Sequence, residues 1–234
     1  MTSELGHSAA DACSPAQGSE VQKLEPGALP WHLHDSAYVA VVLDGGYEEA
    51  GDGGFHRVRP GDVLLHDPFE RHANTVLPGG AQVVNFDVPA RIALGLRSGA
   101  CADPLAFARA LRDGDWSAAA FDALTAPRQA GDEEDALARA LIDDGVQRLA
   151  DYAEHFGLAP RTLRRRFAAR YGMSPARFRA RARARRAWRE VVGTGAPLAD
   201  IAYALGFADQ PHMSRAVAAL TGVPPSAWRG GLAV

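Results

Sequence analysis

No apolar run in this 234-residue chain approaches the roughly 20 residues that span a bilayer; the longest are stretches such as Tyr38 to Leu43. Residues 1 to 22 also lack the basic start and apolar core of a secretory signal, so the expected location is the cytoplasm, with no membrane partner. Cysteine is scarce. Cys13 and Cys101 are too few and too far apart for a disulfide framework, and both are expected to be free thiols. No Ser/His/Asp, Cys/His or phosphate-loop constellation is present, so no catalytic residues are assigned.

Lysine is missing from residues 144–234, where all 15 basic residues are arginine and stand against 6 acidic ones, a balance of +9. Residues 1–143 hold 22 acidic and 10 basic residues, a balance of −12, so the formal net charge of −3 conceals two oppositely charged halves. A basic half concentrates near polyanions while an acidic half is repelled by them. Arginine forms bidentate bonds to phosphate and to guanine edges that lysine cannot copy; a GC-rich coding bias is the alternative source of the excess.

Residues 1–24 are rich in Ser, Ala, Gly and acidic groups and read as a mobile tail. Residues 25–90 contain short β-type runs at 38–43, 55–58, 62–66, 72–76 and 81–88. Gly45-Gly46, Gly51 to Gly54, Pro60-Gly61, Pro68 and Pro78 to Gly80 punctuate them, which predicts antiparallel hairpins in a small sandwich or barrel. Residues 91–130 form a helical connection and linker. Leu105, Ala108 and Leu111 make one apolar stripe there, which suits either a dimer contact or packing on the β domain, and the chain is monomer or homodimer accordingly. From 131 to 234 the pattern is helical.

The helical part contains a repeat: Leu149-Ala150-Asp151, Ala153 and Gly157 recur 49 residues later as Leu198-Ala199-Asp200, Ala202 and Gly206. Arg165, Gly172, Pro175 and Arg179 recur 50 residues later as Arg215, Gly222, Pro225 and Arg229. Each copy reads as a short helix, a glycine turn and a second helix. In the first copy Leu163 and Phe167 form a buried stripe while Arg161, Arg164 and Arg165 share the opposite face, as a helix lying in the DNA major groove requires; a merely solvated basic face is the alternative. The second copy offers Gln210, His212 and Arg215, with Met213 and Val217 inward. Between the copies a long helix, about 18 residues and roughly 27 Å, can hold two reading helices near one DNA turn apart. Arg177, Arg181 and Arg185 on it are candidates for phosphate contacts or for simple solvation.

The segment from about Asp144 to Arg229 resembles the AraC/XylS transcription regulators. The resemblance rests on Ile201-Ala202, Leu205-Gly206-Phe207-Ala208-Asp209-Gln210, His212-Met213-Ser214-Arg215, Gly222-Val223-Pro224-Pro225 and Trp228-Arg229. It implies double-stranded DNA as partner, with RNA polymerase a further candidate. It also implies base contacts from Arg161, Thr162, Arg164 and Arg165 in the first unit and Gln210, His212 and Arg215 in the second. Val217, where the family usually has Phe, suggests a looser second core, and Pro211 is tolerable in a first helical turn.

The N-terminal domain resembles a cupin sensor through Trp31-His32-Leu33-His34, Gly45-Gly46, Pro60-Gly61-Asp62, Pro68, His72 and Asn74. The resemblance implies metal ligands at His32, His34 and His72, while the family's glutamate position falls near Tyr38. His32 and His34 are two apart and so emerge from one face of a strand. Three neutral imidazoles suit a divalent metal such as Zn²⁺, or else polar contacts to an organic effector. His56 and His66 fit no ligand spacing and are read as structural.

The expected fold class is therefore α+β: an all-β cupin-like barrel, then an all-α domain with two helix-turn-helix units joined by a long helix. The expected function is sequence-specific regulation of transcription, with the β domain sensing a small molecule or metal. A cupin-type metal-dependent enzyme fused to a DNA-binding domain is the alternative, disfavoured by Tyr38. A third reading is a DNA-only protein whose β domain dimerises.

Overall fold

Short apolar runs punctuated by Gly and Pro build the first half of the chain. The computed structural model describes residues 20–88, 90–93, 96–126, 131–143 and 148–230. Most of the predicted tail, Cys13 with it, and the end of the predicted linker, 127–130, lie outside the described residues.

The strands are β1 (Val21–Leu24), β2 (Gly27–Leu33), β3 (Ala37–Gly51), β4 (Gly54–Val58), β5 (Asp62–His66) and β6 (Arg71–Val88). A short helix α1 (Ala90–Ala93) and strand β7 (Gly99–Ala100) follow. They form one sheet in the order β1-β6-β3-β5-β7, with β2 also on β6 and β4 also on β3, every pairing antiparallel. Two differences from the sequence reading stand out. Val21–Leu24, expected in the tail, pair with Ala81–Val84 of β6. Gly45-Gly46 and Pro78 to Gly80, expected as turns, lie inside the long strands β3 and β6, where the register shifts between Val42 and Asp44 and again between Gly45 and Tyr47. Such bulges bend a strand without ending it. Gly45 is left-handed (φ 70°), and a Cβ on it would meet the Gly80 carbonyl oxygen at 2.1 Å, so only glycine fits the bend.

The bend brings the two halves of the sheet face to face, and both faces are buried. Tyr38, Ala40, Val42, Tyr47, Val58, Leu64, Val76 and Val83 point inward to one core. Val39, Val41, Val63, Val84 and Phe86 point outward to a second, which α2 (Pro104–Arg112) and α3 (Ala118–Asp122) cover with Ala108, Leu111 and Phe121. Leu105 does not share that stripe: it is 58% exposed. Two steps of three place it about 120° from Leu111 around the helix, enough to clear the sheet.

The helical half comprises α4 (Glu133–Ile142), α5 (Leu149–His155), α6 (Pro160–Tyr171), α7 (Pro175–Gly193), α8 (Leu198–Ala204), α9 (Gln210–Thr221) and α10 (Pro225–Arg229). Helix α4 begins at Glu133, just after the predicted linker, closed by a capping box between Asp132 and Asp135. Both repeat units turn at left-handed glycines, Gly157 (φ 64°) and Gly206 (φ 68°). Pro211 sits in the first turn of α9, where Asp209 caps the His212 amide. Val217 is fully buried beside Met213, in a core completed by Trp188, Ile201 and Trp228. Among the described residues no helix is long and apolar enough to cross a membrane.

The two halves are joined by apolar insertion as well as by charge. Phe55 of β4 enters the core of α4, α5 and α6. Phe69, in the β5–β6 loop, enters that of α7 to α10, with its ring 5.7 Å from both Trp188 and Trp228.

Candidate functional site

Two clusters carry chemistry. The first is the exposed face of α6 and α9. Leu163, Phe167 and Tyr171 bury one side of α6, and the helical period then forces Arg161, Arg164 and Arg165 outward. Among the described residues these three side chains, and that of Arg215, make no hydrogen bond or ion pair. Thr162 is half-buried at the start of α6, whereas Gln210, His212 and Arg215 are exposed on α9. Arg164 and His212 line one cleft of about 610 Å³ together with Arg179 and Arg183 of α7, so both units face the same side.

Helix α7 departs from expectation. Arg181 and Arg185, considered for phosphate contacts, turn to the β domain. Arg181 donates from Nε to Asp52 Oδ2 (2.6 Å) and from Nη2 to the Phe69 carbonyl (2.7 Å). Arg185, itself buried, donates from Nη2 to Asp67 Oδ2 (2.9 Å) and Glu70 Oε2 (2.8 Å), and Arg189 also pairs with Asp67. These arginines are four residues apart and form one stripe, which the acidic β5–β6 loop covers. Although burial works the other way, Arg185 and His66 hold Glu70 down at about 2.

Phe69 completes that loop. It is left-handed (φ 63°), a conformation costing a non-glycine residue about 1–2 kcal/mol. Its ring buried between two tryptophans, the His34 carbonyl accepting from its N–H and the Arg181 bond to its carbonyl hold it there.

The second cluster lies inside the folded sheet. His32 and His34 of β2 and its following turn meet His72 of β6: the His32 and His72 rings are 4.3 Å apart, and one ligand atom from each of the three lies within 4.8 Å of the others. His32 Nδ1 donates to the Pro30 carbonyl (2.8 Å), which leaves its buried Nε2 as a lone pair without a protein partner, and His34 Nε2 is likewise unpartnered. Burial, reinforced by His32 and His66, lowers His34 to about 4; burial, with His66 and His32, lowers His72 to about 2. Both are neutral at pH 7, as metal ligation requires. The orphaned nitrogens and neutral rings fit a divalent cation.

Tyr38, at the position where a carboxylate was sought, belongs to the same cluster, its hydroxyl 3.3 Å from His72 Nε2. A carboxylate does reach the pocket, but from farther along β3. Glu49, His66 and His72 form a second trio with ligand atoms within 4.8 Å, all buried. His66 is thus not isolated from the cluster: Tyr38 and His66 are direct cross-strand partners and their rings stack at 4.4 Å. Alternation alone puts His66 inward beside Leu64, a signal that ligand spacing within one segment cannot reveal. His56 pairs with Glu49 in register on β4 but joins neither trio.

Residues 152–231 match a family model described as a helix-turn-helix domain. No curated protein matches the chain. Among solved structures the chain is similar to a transcriptional regulator with an AraC-type DNA-binding domain from Chromobacterium violaceum, with 22% identity over 42% of this chain and 89% of that one, and a TM-score of 0.39. It is similar to the DNA-binding domain of AdpA, a global transcriptional factor in complex with a target DNA, with 19% identity over 43% and 92% and a TM-score of 0.39. It is also similar to unsaturated fatty acid-bound ToxT from Vibrio cholerae, with 13% identity over 89% and 93% and a TM-score of 0.42.

Proposed function

We propose, from the premise that residues 152–231 form an AraC-type helix-turn-helix domain, that this chain regulates transcription by reading a specific DNA sequence. In this reading its β domain senses a metal ion or small ligand. The observation that carries the reading is the unpaired guanidinium face of α6 beside the polar face of α9, both opening on one cleft, while Arg166, Arg170, Arg181, Arg185 and Arg189 are paired with acids. Bidentate guanidinium contacts to guanine would supply specificity from α6. Gln210, His212 and Arg215 would read fewer bases from α9. Helix α7, 19 residues or about 28 Å long, sets the separation of the two readers, so adjacent major grooves of one duplex, about 34 Å apart, are the target.

Sensing is assigned to the pocket of His32, His34 and His72. When bound there, a divalent ion would supply a fixed positive charge; imidazoles of the pocket would hold it and Tyr38 would border it. The adjoining cavity, bounded by Tyr38, Glu49, His72 and Asn74, is only about 20 Å³, room for about one water, which favours an ion over an organic effector. For such binding to regulate, the ion must bind the DNA-bound and free states with different affinity.

The test is selection of bound duplexes from a random pool by the full chain, with and without added Zn²⁺. One recovered sequence with two elements about one helical turn apart is the expected result. Recovery of unrelated sequences with affinity set only by salt would remove the sequence-specific reading.

A further inference from the structure

We propose that Glu49, His66 and His72 form the preferred cation site of the β domain, deeper than the three-histidine set, for a borderline divalent ion of the Zn²⁺ class. This rests on the reading that the pocket binds an ion and says which residues hold it.

Charge favours this trio. Glu49 is 3% exposed, and among the described residues no arginine or lysine reaches it. Asp52, Asp67 and Glu70, equally buried, each meet an arginine of α7. The one basic group paired with Glu49 within 4 Å, among the described residues, is His66, a counter-charge only when it holds a proton. A divalent ion bound between the two puts a fixed positive charge in that proton's place.

Spacing favours the same trio. His66 Nε2 lies 3.8 Å from Glu49 Oε2, beyond hydrogen-bond range. Two ligand atoms each about 2.1 Å from a tetrahedral Zn²⁺ are about 3.4 Å apart, so this gap closes by a few tenths of an ångström around a shared ion. With its amide nitrogen facing Glu49, Asn74 donates to Oε2 (3.1 Å) and fixes the carboxylate. Two imidazoles and one carboxylate make a familiar donor set for zinc and for non-haem iron, with a position left open for water.

The outer partner favours it as well. A metal-bound histidine nearly always offers its other ring nitrogen to a carboxylate, a backbone carbonyl or water. His66 Nδ1 faces Glu70 Oε1 at 3.7 Å, and Glu70 Oε2 accepts from Arg185 of α7 and from the Asp67 amide. His66 and Glu70 therefore connect the site to α7, the helix that lies between the two proposed DNA readers. In this arrangement Glu70 is a positioning residue that orients His66.

The experiment titrates the chelator-stripped full chain with Co²⁺, following d–d absorption, and repeats it with Zn²⁺ in competition. Glu49→Gln and His66→Gln are expected to lose at least about 100-fold in affinity and His32→Ala to lose little, while Glu70→Gln weakens binding about 10–100-fold. Paramagnetic NMR of the Co²⁺-loaded unaltered chain is the control against misfolded variants: two shifted exchangeable imidazole protons are expected. Three such protons, or a His32→Ala loss as large as that of His66→Gln, would place the ion in the three-histidine set, leaving the sensing reading intact and this site wrong. Unchanged affinity in Glu49→Gln and His66→Gln would also overturn it. Failure of the unaltered chain to bind either ion would overturn this site and metal sensing together, with DNA selection unaffected.

Discussion

Arginines on α6 and on α7 belong to the same basic half of the chain, yet they have opposite fates. Arg161, Arg164 and Arg165 project from α6 into solvent with no partner among the described residues. Arg181, Arg185 and Arg189 of α7 are locked to Asp52, Asp67 and Glu70. Arg166 and Arg170, also on α6, are paired with Asp132, Glu133, Glu134 and Asp135 around α4. Net charge therefore overstates the surface that a polyanion can meet. What an arginine does depends on whether an acid from elsewhere in the fold arrives on its face of the helix, and the acidic half of the chain supplies those acids.

The sharpest way to break this comparison is Arg185→Ala. It leaves Asp67 and Glu70 buried with less counter-charge, and removal of one partner from a buried ion pair costs about 3–5 kcal/mol. Chemical denaturation should show a loss of that size, and a loss under about 1 kcal/mol would mean that Arg189 compensates. Arg165→Ala is expected to behave the other way, changing folding stability by no more than about 0.5 kcal/mol but weakening specific DNA binding by about 1–3 kcal/mol at one base position. Equal weakening on every sequence would make it a phosphate contact.

The histidine pocket gives a third test, in the metal-free chain. His34 and His72 are held neutral down to about 4 and about 2, below the ordinary 6.5. As the pH falls from 6.5 toward 4, the unfolded chain takes up protons that these folded groups refuse, so stability is lost as the pH falls through that window. His72→Gln should flatten the slope of unfolding free energy against pH there by up to about 1.4 kcal/mol per pH unit. An unchanged slope would show that His72 is protonated in the fold. The smallest effect is expected from Glu48→Ala, which breaks an exposed pair with Arg57 (3.1 Å) and should cost about 0.2–1 kcal/mol.

The helical half was largely legible in advance. A repeat with glycines at equivalent turns specifies two similar units, because a left-handed turn is a local requirement visible in one residue. The inward stripe of Leu163 and Phe167 likewise fixes the outward face of α6. In the β half, the runs that became β4 and β5 were legible from alternation, but the bend was not: Gly45-Gly46 reads as a turn, and only pairing with the opposite strand turns it into a bulge. Leu105 misled because a spacing of three is an imperfect helical repeat.

The sequence by itself determined the secondary structure periods, the two turn-separated units and the arginines of α6, since all of these follow from neighbours within one or two helical turns. Tertiary structure alone decided that α7 faces acids, that Phe69 links the halves, and that Glu49 and His66 join His72. Those pairings bring together residues from separate strands and helices, and burial, which sets the cost of leaving each charge unpaired, exists only once the chain has folded.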